Sequence, residues 1–157
     1  MTQASVYETE LPIRAAVREA HSALVEHWSS AGTWWSAVER LAIVNEVRTA
    51  LDADELPPWV APSTVDGLVA ADHVLPVVVV DIIWRITNHV STLTRDWYDS
   101  LVPDQVSAEQ YVEVLGLVSQ ANLVDRFADS LSLDRPALAE PRPGEPSRSS
   151  PRCLMAG

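Results

Sequence analysis

Three carboxylates and one imidazole stand where acid–base chemistry could be built. Glu39 and Glu46 are seven residues apart in SAVERLAIVNEVRTA. Two helical turns separate them, so both side chains project to nearly the same side. With about 1.5 Å of rise per residue they lie about 10 Å apart along the axis, too far to share a proton directly. Arg40 and Arg48 stand beside them, and the plain reading of this face is a solvated one. Glu113 sits in the apolar run QYVEVLGLV, where a carboxylate either pairs with an arginine or is held protonated by desolvation. His89 breaks an apolar pattern close to Trp97 and Tyr98. It reads as a helix-end residue or as a general base. Trp59 is a large ring in the Pro-stiffened DADELPPWVAPS, and such a ring is expected to cover a groove. His21 and His27 are six apart, which matches neither helical spacing that lets two imidazoles share a metal. A solvated or capping role is expected for both, and no metal or cofactor is implied.

These residues need helices to hold them. Ile13, Ala16, Val17, Ala20, Leu24 and Trp28 recur at helical spacing from Leu11 to about Trp28. After a break at Ser29 to Gly32, Thr33 is placed to cap a helix from Trp34 to about Leu51, with Trp34, Val38, Leu41 and Val47 on its apolar face. Three prolines mark a loop at 57–62, and Ser63 with Asp66 suggests a further capped helix to about Val74, with His73 near its end. LPVVVVDIIWRI carries a strand-like valine run, but Pro76 at a first turn and its length suit a buried helix with an Asp81–Arg85 pair on its polar edge. Ser91 or Thr92 would cap the helix bearing Trp97 and Tyr98. Ser107 and Gln110 form a capping-box signature, opening a long helix to about Leu131 that is apolar nearly all round.

The stretch from Val90 to Leu131 resembles the core repeat of the alkylhydroperoxidase D-like, or carboxymuconolactone decarboxylase, family. In that family's redox members a CxxCxxxH motif lies on the first helix, and the second opens with a small polar residue and two acidic or amide residues. Laying Val106-Ser107-Ala108-Glu109-Gln110 on that opening puts the two cysteines at Val90 and Leu93 and the histidine at Trp97. Thr33 to Ala50 resembles the family's preceding helix, whose relay glutamate then falls at or next to Glu39. The similarity runs from about Thr33 to Leu131, with a long insertion after Ala50. It implies an all-α, alkylhydroperoxidase-like bundle built on a helix–turn–helix, and a homo-oligomer. It also implies acid–base work by Glu39, Glu46 and His89 on a small organic molecule, in a pocket lined by Trp97, Tyr98, Glu113 and Trp59. The alternative is an inactive oligomerisation or interaction protein. Dithiol peroxidase chemistry has no residues here to carry it.

Composition narrows the classes further. A chain of 157 residues with 47% hydrophobic content suits one domain over 1–135. Residues 136–157, rich in Pro, Arg and Ser, read as a disordered tail carrying the lone Cys153. A net charge of −11 disfavours nucleic acid and anionic membrane surfaces. All 11 basic residues are arginine, so lysine chemistry is excluded. The N-terminal residues lack the pattern of a secretory signal, and a cytoplasmic location is expected. For the oligomer, the contact is expected to involve Trp34 or Trp35 and part of the run Val77 to Val80.

Overall fold

The computed structural model describes residues 6–53 and 73–149. Trp59, the helix expected from Ser63 and Cys153 lie outside them. The described residues form five helices and no strand: α1 (Ala15–Trp28), α2 (Ala37–Asp52), α3 (Val77–Asn88), α4 (Arg95–Leu101) and α5 (Ala108–Ser130), with a 3-10 turn at Val90–Thr92 before α4. This is the all-α class expected. None of these helices is long and apolar enough to cross a membrane.

Packing decides the ambiguous valine run. Alone it would favour a strand, but α3 is wedged between α2 and α5, and Val79, Val80, Ile82, Ile83 and Trp84 are almost fully buried. Burial on both sides outweighs the weak local preference of β-branched residues. Pro76 stands at the N-cap, where its missing N–H costs nothing. On α5, Ser107 Oγ accepts from the Gln110 N–H while the Gln110 side chain accepts from the Ser107 N–H, as the spacing predicts.

Helix α2 starts three residues later than expected. Ser36, rather than Thr33, is its cap, because Glu39 lies three residues on and closes the capping box. Val38 consequently turns outward, 53% exposed. Likewise Thr94, not Ser91 or Thr92, caps α4 by accepting from the Trp97 N–H. Of the residues expected at an oligomer contact, Trp35, Val79 and Val80 belong to the chain's own core, whereas Val77 is exposed and Trp34 and Val78 are half-buried.

His21 is buried, not solvated. Its Nδ1 lies 2.7 Å from the Tyr7 hydroxyl, which also reaches the Val124 carbonyl, and Phe127 meets the imidazole edge-on. Burial pushes the Tyr7 phenol from 10.0 up to about 12, with the nearby Asp125 charge adding to it. Burial also lowers the His21 imidazole. Both shifts favour the neutral forms in the folded state. Stability from Tyr7 is therefore present below pH 10 and lost as pH climbs through about 12, and stability from His21 is lost as pH falls below 6.5. Tyr7→Phe is expected to flatten the alkaline limb of the melting temperature between pH 10 and about 12. An unchanged limb would assign that loss to other groups.

The segment from Leu133 to Ser149 has no regular structure, yet it is not a free tail. Pro136 is buried and its carbonyl accepts from Arg48, Leu138 packs on the core, and Arg135 bridges Asp52 and Asp129. Further on, the N–H groups of Arg142, Ser147 and Arg148 donate to the carbonyls of Ser29, Gly32 and Thr33. The composition points to disorder because few apolar groups are present; backbone hydrogen bonds to the open α1–α2 loop supply what apolar burial does not. Removing residues from Pro136 onward is expected to cost about 2 kcal/mol, the scale of one buried aliphatic side chain, and hence about 5 °C in melting temperature. A melting curve unchanged by the truncation would show that this strap contributes nothing.

Candidate functional site

The carboxylates singled out by spacing are each taken up by a different part of the framework. Glu39 Oε2 accepts from the Ser36 N–H at 2.8 Å and from its hydroxyl at 2.7 Å, so its charge completes the α2 cap. Glu46, two turns on, is 7% exposed and faces α3. One of its oxygens accepts from Trp84 Nε1 at 2.6 Å and the other lies 2.8 Å from His73 Nε2. The Leu75 N–H donates to His73 Nδ1, which leaves the ring proton on Nε2, directed at Glu46. Both ring nitrogens are thus occupied, and His73 has no free lone pair with which to take a substrate proton.

Glu113 takes the first of its two expected solutions. Its Oε1 accepts from Arg40 Nη1 at 2.8 Å and its Oε2 from the Trp34 N–H at 2.7 Å. Gly32 makes room for this pair, since a Cβ there would overlap both the carboxylate and the guanidinium. His89 is the C-cap residue of α3; its own N–H donates to the Arg85 carbonyl and its carbonyl accepts from Thr92.

Trp97 and Tyr98 do come together, but around Tyr111 and the polar edge of α3. Tyr98 meets the Tyr111 ring edge-on at 5.1 Å, and Trp97 does so at 6.4 Å. Trp97 Nε1 donates to Asp81, while Arg85 pairs with Asp81 and lies 5.1 Å over the Trp97 ring. Burial and the neighbouring Tyr98 raise the Tyr111 phenol. Tyr111 and Glu113 are two residues apart on α5, which turns them about 200° from one another. The aromatic cluster and the Glu113 pair therefore lie on opposite flanks of that helix and do not line one pocket.

No family model, curated protein or solved structure matches the chain. Among the described residues no group of three or more His, Cys, Asp or Glu is arranged to hold a metal ion.

Sequence reasoning misses one buried charge pair. Asp125 is fully buried on α5 and receives two hydrogen bonds from Arg48 of α2, at 2.8 and 2.9 Å. The one available signal is an aspartate in the midst of Val124 and Ala128, at a position the helical period turns inward. His73 reads by sequence as a helix-end residue, and its pairing with Glu46 depends on a contact across 27 residues.

Glu46 allows a direct test of structural against catalytic duty. Glu46→Gln turns an N–H toward His73 Nε2–H or toward Trp84 Nε1–H, leaving two donors facing one another in a buried place. The expected cost is about 1–3 kcal/mol. A Glu46→Gln chain that melts with the wild-type profile would remove the structural assignment.

Proposed function

We propose that the chain is a non-catalytic, alkylhydroperoxidase-like helical protein that works by self-association through the outer face of α5. The observation that carries this reading is the surface of that helix. Val112 is 63% and Leu123 57% exposed, and Leu115 lies open beside them. A Cβ on Gly116 would meet nothing within 4 Å, so the outer side of the helix is bare at its middle. Contiguous exposed apolar surface of this kind marks contact sites. The carboxylates that acid–base chemistry would need support the same reading, since each is bonded to donors of the framework.

The pattern on this face is self-complementary. About a point midway between Leu117 and Val118, Gly116 mirrors Ser119, Val112 mirrors Leu123, and Glu109 mirrors Arg126. An antiparallel pair of α5 helices related by a two-fold axis brings small residues together at the crossing and apolar residues on either side. It also brings opposite charges to the two ends, whereas a parallel pair would set Glu109 beside Glu109. In a protein of net charge −11, an uncharged face with complementary ends is the place where two copies can approach.

Cysteine cross-linking tests the register. In a Cys153→Ser background, chains carrying Val112→Cys are mixed with chains carrying Leu123→Cys and oxidised. A disulfide dimer is expected from the mixture and from neither variant alone. Linkage of Val112→Cys chains to each other would overturn the antiparallel pairing, and absence of any linkage would overturn the α5 contact.

A further inference from the structure

A second feature lies at the C-terminal end of α5, one turn beyond Leu123, where the residues leading into α1 meet that helix. Leu11 and Ile13, just before α1, and Val17, in its first turn, face Phe127 and Leu131, at the end of α5, across an open trough of about 360 Å³. That size falls in the range of small-molecule sites. The walls are apolar, and the one charged residue among them is Arg14.

Arg14 differs from the other arginines of the described residues. Arg40, Arg48, Arg85, Arg95, Arg135 and Arg142 are held by carboxylates. Arg18 and Arg126 donate to backbone carbonyls, and Arg148 lies over the Trp34 ring. The Arg14 guanidinium has no such partner among the described residues. Arg14 is also the N-cap residue of α1, a helix whose first turn has no side-chain cap and no acidic residue. A free guanidinium and the positive end of a 14-residue helix thus meet at the rim of an apolar trough.

We infer that this trough binds a single-chain aliphatic carboxylate, its chain along Ile13, Val17, Phe127 and Leu131 and its head group on Arg14. Apolar walls take up the chain. The planar guanidinium matches a carboxylate with two parallel hydrogen bonds. One arginine in a strongly acidic protein suits a monoanion rather than a phosphate dianion, and the same overall charge repels an anionic bilayer, so the ligand is a free amphiphile.

Calorimetric titration of the full chain with decanoate, below its micelle-forming concentration, tests this. Saturable one-to-one binding is expected. Arg14→Gln, an exposed change that leaves the fold intact, should weaken it about tenfold. Leu131→Gln, at the exposed end of α5, should weaken it as well, through the chain rather than the head group. Decan-1-ol should bind wild type no better than decanoate binds Arg14→Gln, and phosphatidylglycerol vesicles should not bind. Wild-type affinity in Arg14→Gln, or heats that fail to saturate, would overturn the site; vesicle binding without decanoate binding would overturn it in favour of a membrane surface. The Val112→Asp chain, changed at the far end of the α5 contact from Phe127, should bind decanoate as wild type does, and loss of binding there would overturn a site built within one chain.

Discussion

Replacing Arg48 by methionine is expected to cost about 3–5 kcal/mol, among the largest losses available from a single change in this chain. Asp125 is fully buried and takes two hydrogen bonds from Arg48. Methionine fills much of the arginine's volume but leaves the carboxylate with no cation in a desolvated place. The Pro136 carbonyl loses its donor in the same step, so the strap loosens with the core. For a domain of this size the melting temperature should fall by about 10 °C or more. Arg48→Met combined with Asp125→Leu should recover most of the loss, since exchanging a buried ion pair for apolar residues of similar volume is close to neutral. If the double variant melts as low as the single one, the loss comes from packing rather than from an orphaned charge. A single variant as stable as wild type would contradict the pairing itself.

What was legible in the sequence, and what was not, divides along the range of the interactions. The capping box of α5 was readable because Ser107 and Gln110 are three residues apart and their bonds close within one turn. The Asp81–Arg85 pair was readable for the same reason. Ser36 and Glu39 carry the same signature as Ser107 and Gln110, but Thr33 and the apolar Trp34-Trp35 draw the expected helix start three residues too early. The partners of the buried charges could not be read locally, because Arg40 finds Glu113 across 73 residues and Arg48 finds Asp125 across 77. Hence the candidate site was legible as a set of unusual residues and not as an arrangement. Glu39, Glu46 and Glu113 stand out in the sequence as carboxylates in need of an explanation, and in the fold each is bonded to donors of the framework. The strap at 133–149 was not legible because composition registers apolar burial and not backbone hydrogen bonds to a loop.

The second large effect concerns assembly. Leu123 stands on the outer side of α5, 57% exposed, opposite the core residues Val124 and Ala128 of the same helix. Leu123→Asp leaves the fold of one chain untouched, because the new carboxylate faces water there. In an antiparallel α5 pair the same change sets an aspartate against Val112 of the other copy, twice per dimer, and desolvates it without a partner. The variant should therefore be a folded monomer with an unchanged melting profile at low concentration. One helix face is short of the roughly 800 Å² per partner that stable interfaces bury, so the wild-type dimer is expected to dissociate in the micromolar range. Arg126→Glu, which sets like charges at both ends of the pair, should weaken association as well, whereas Glu109→Arg combined with Arg126→Glu should restore it.

Sedimentation equilibrium from micromolar to submillimolar concentration decides the matter most directly. A mass that rises from one chain of 17.2 kDa toward two with concentration, and stays at one chain throughout for Leu123→Asp, is the predicted result. A wild-type chain that remains a single 17.2 kDa species at the highest concentration, or a Leu123→Asp chain that assembles as wild type does, would contradict it.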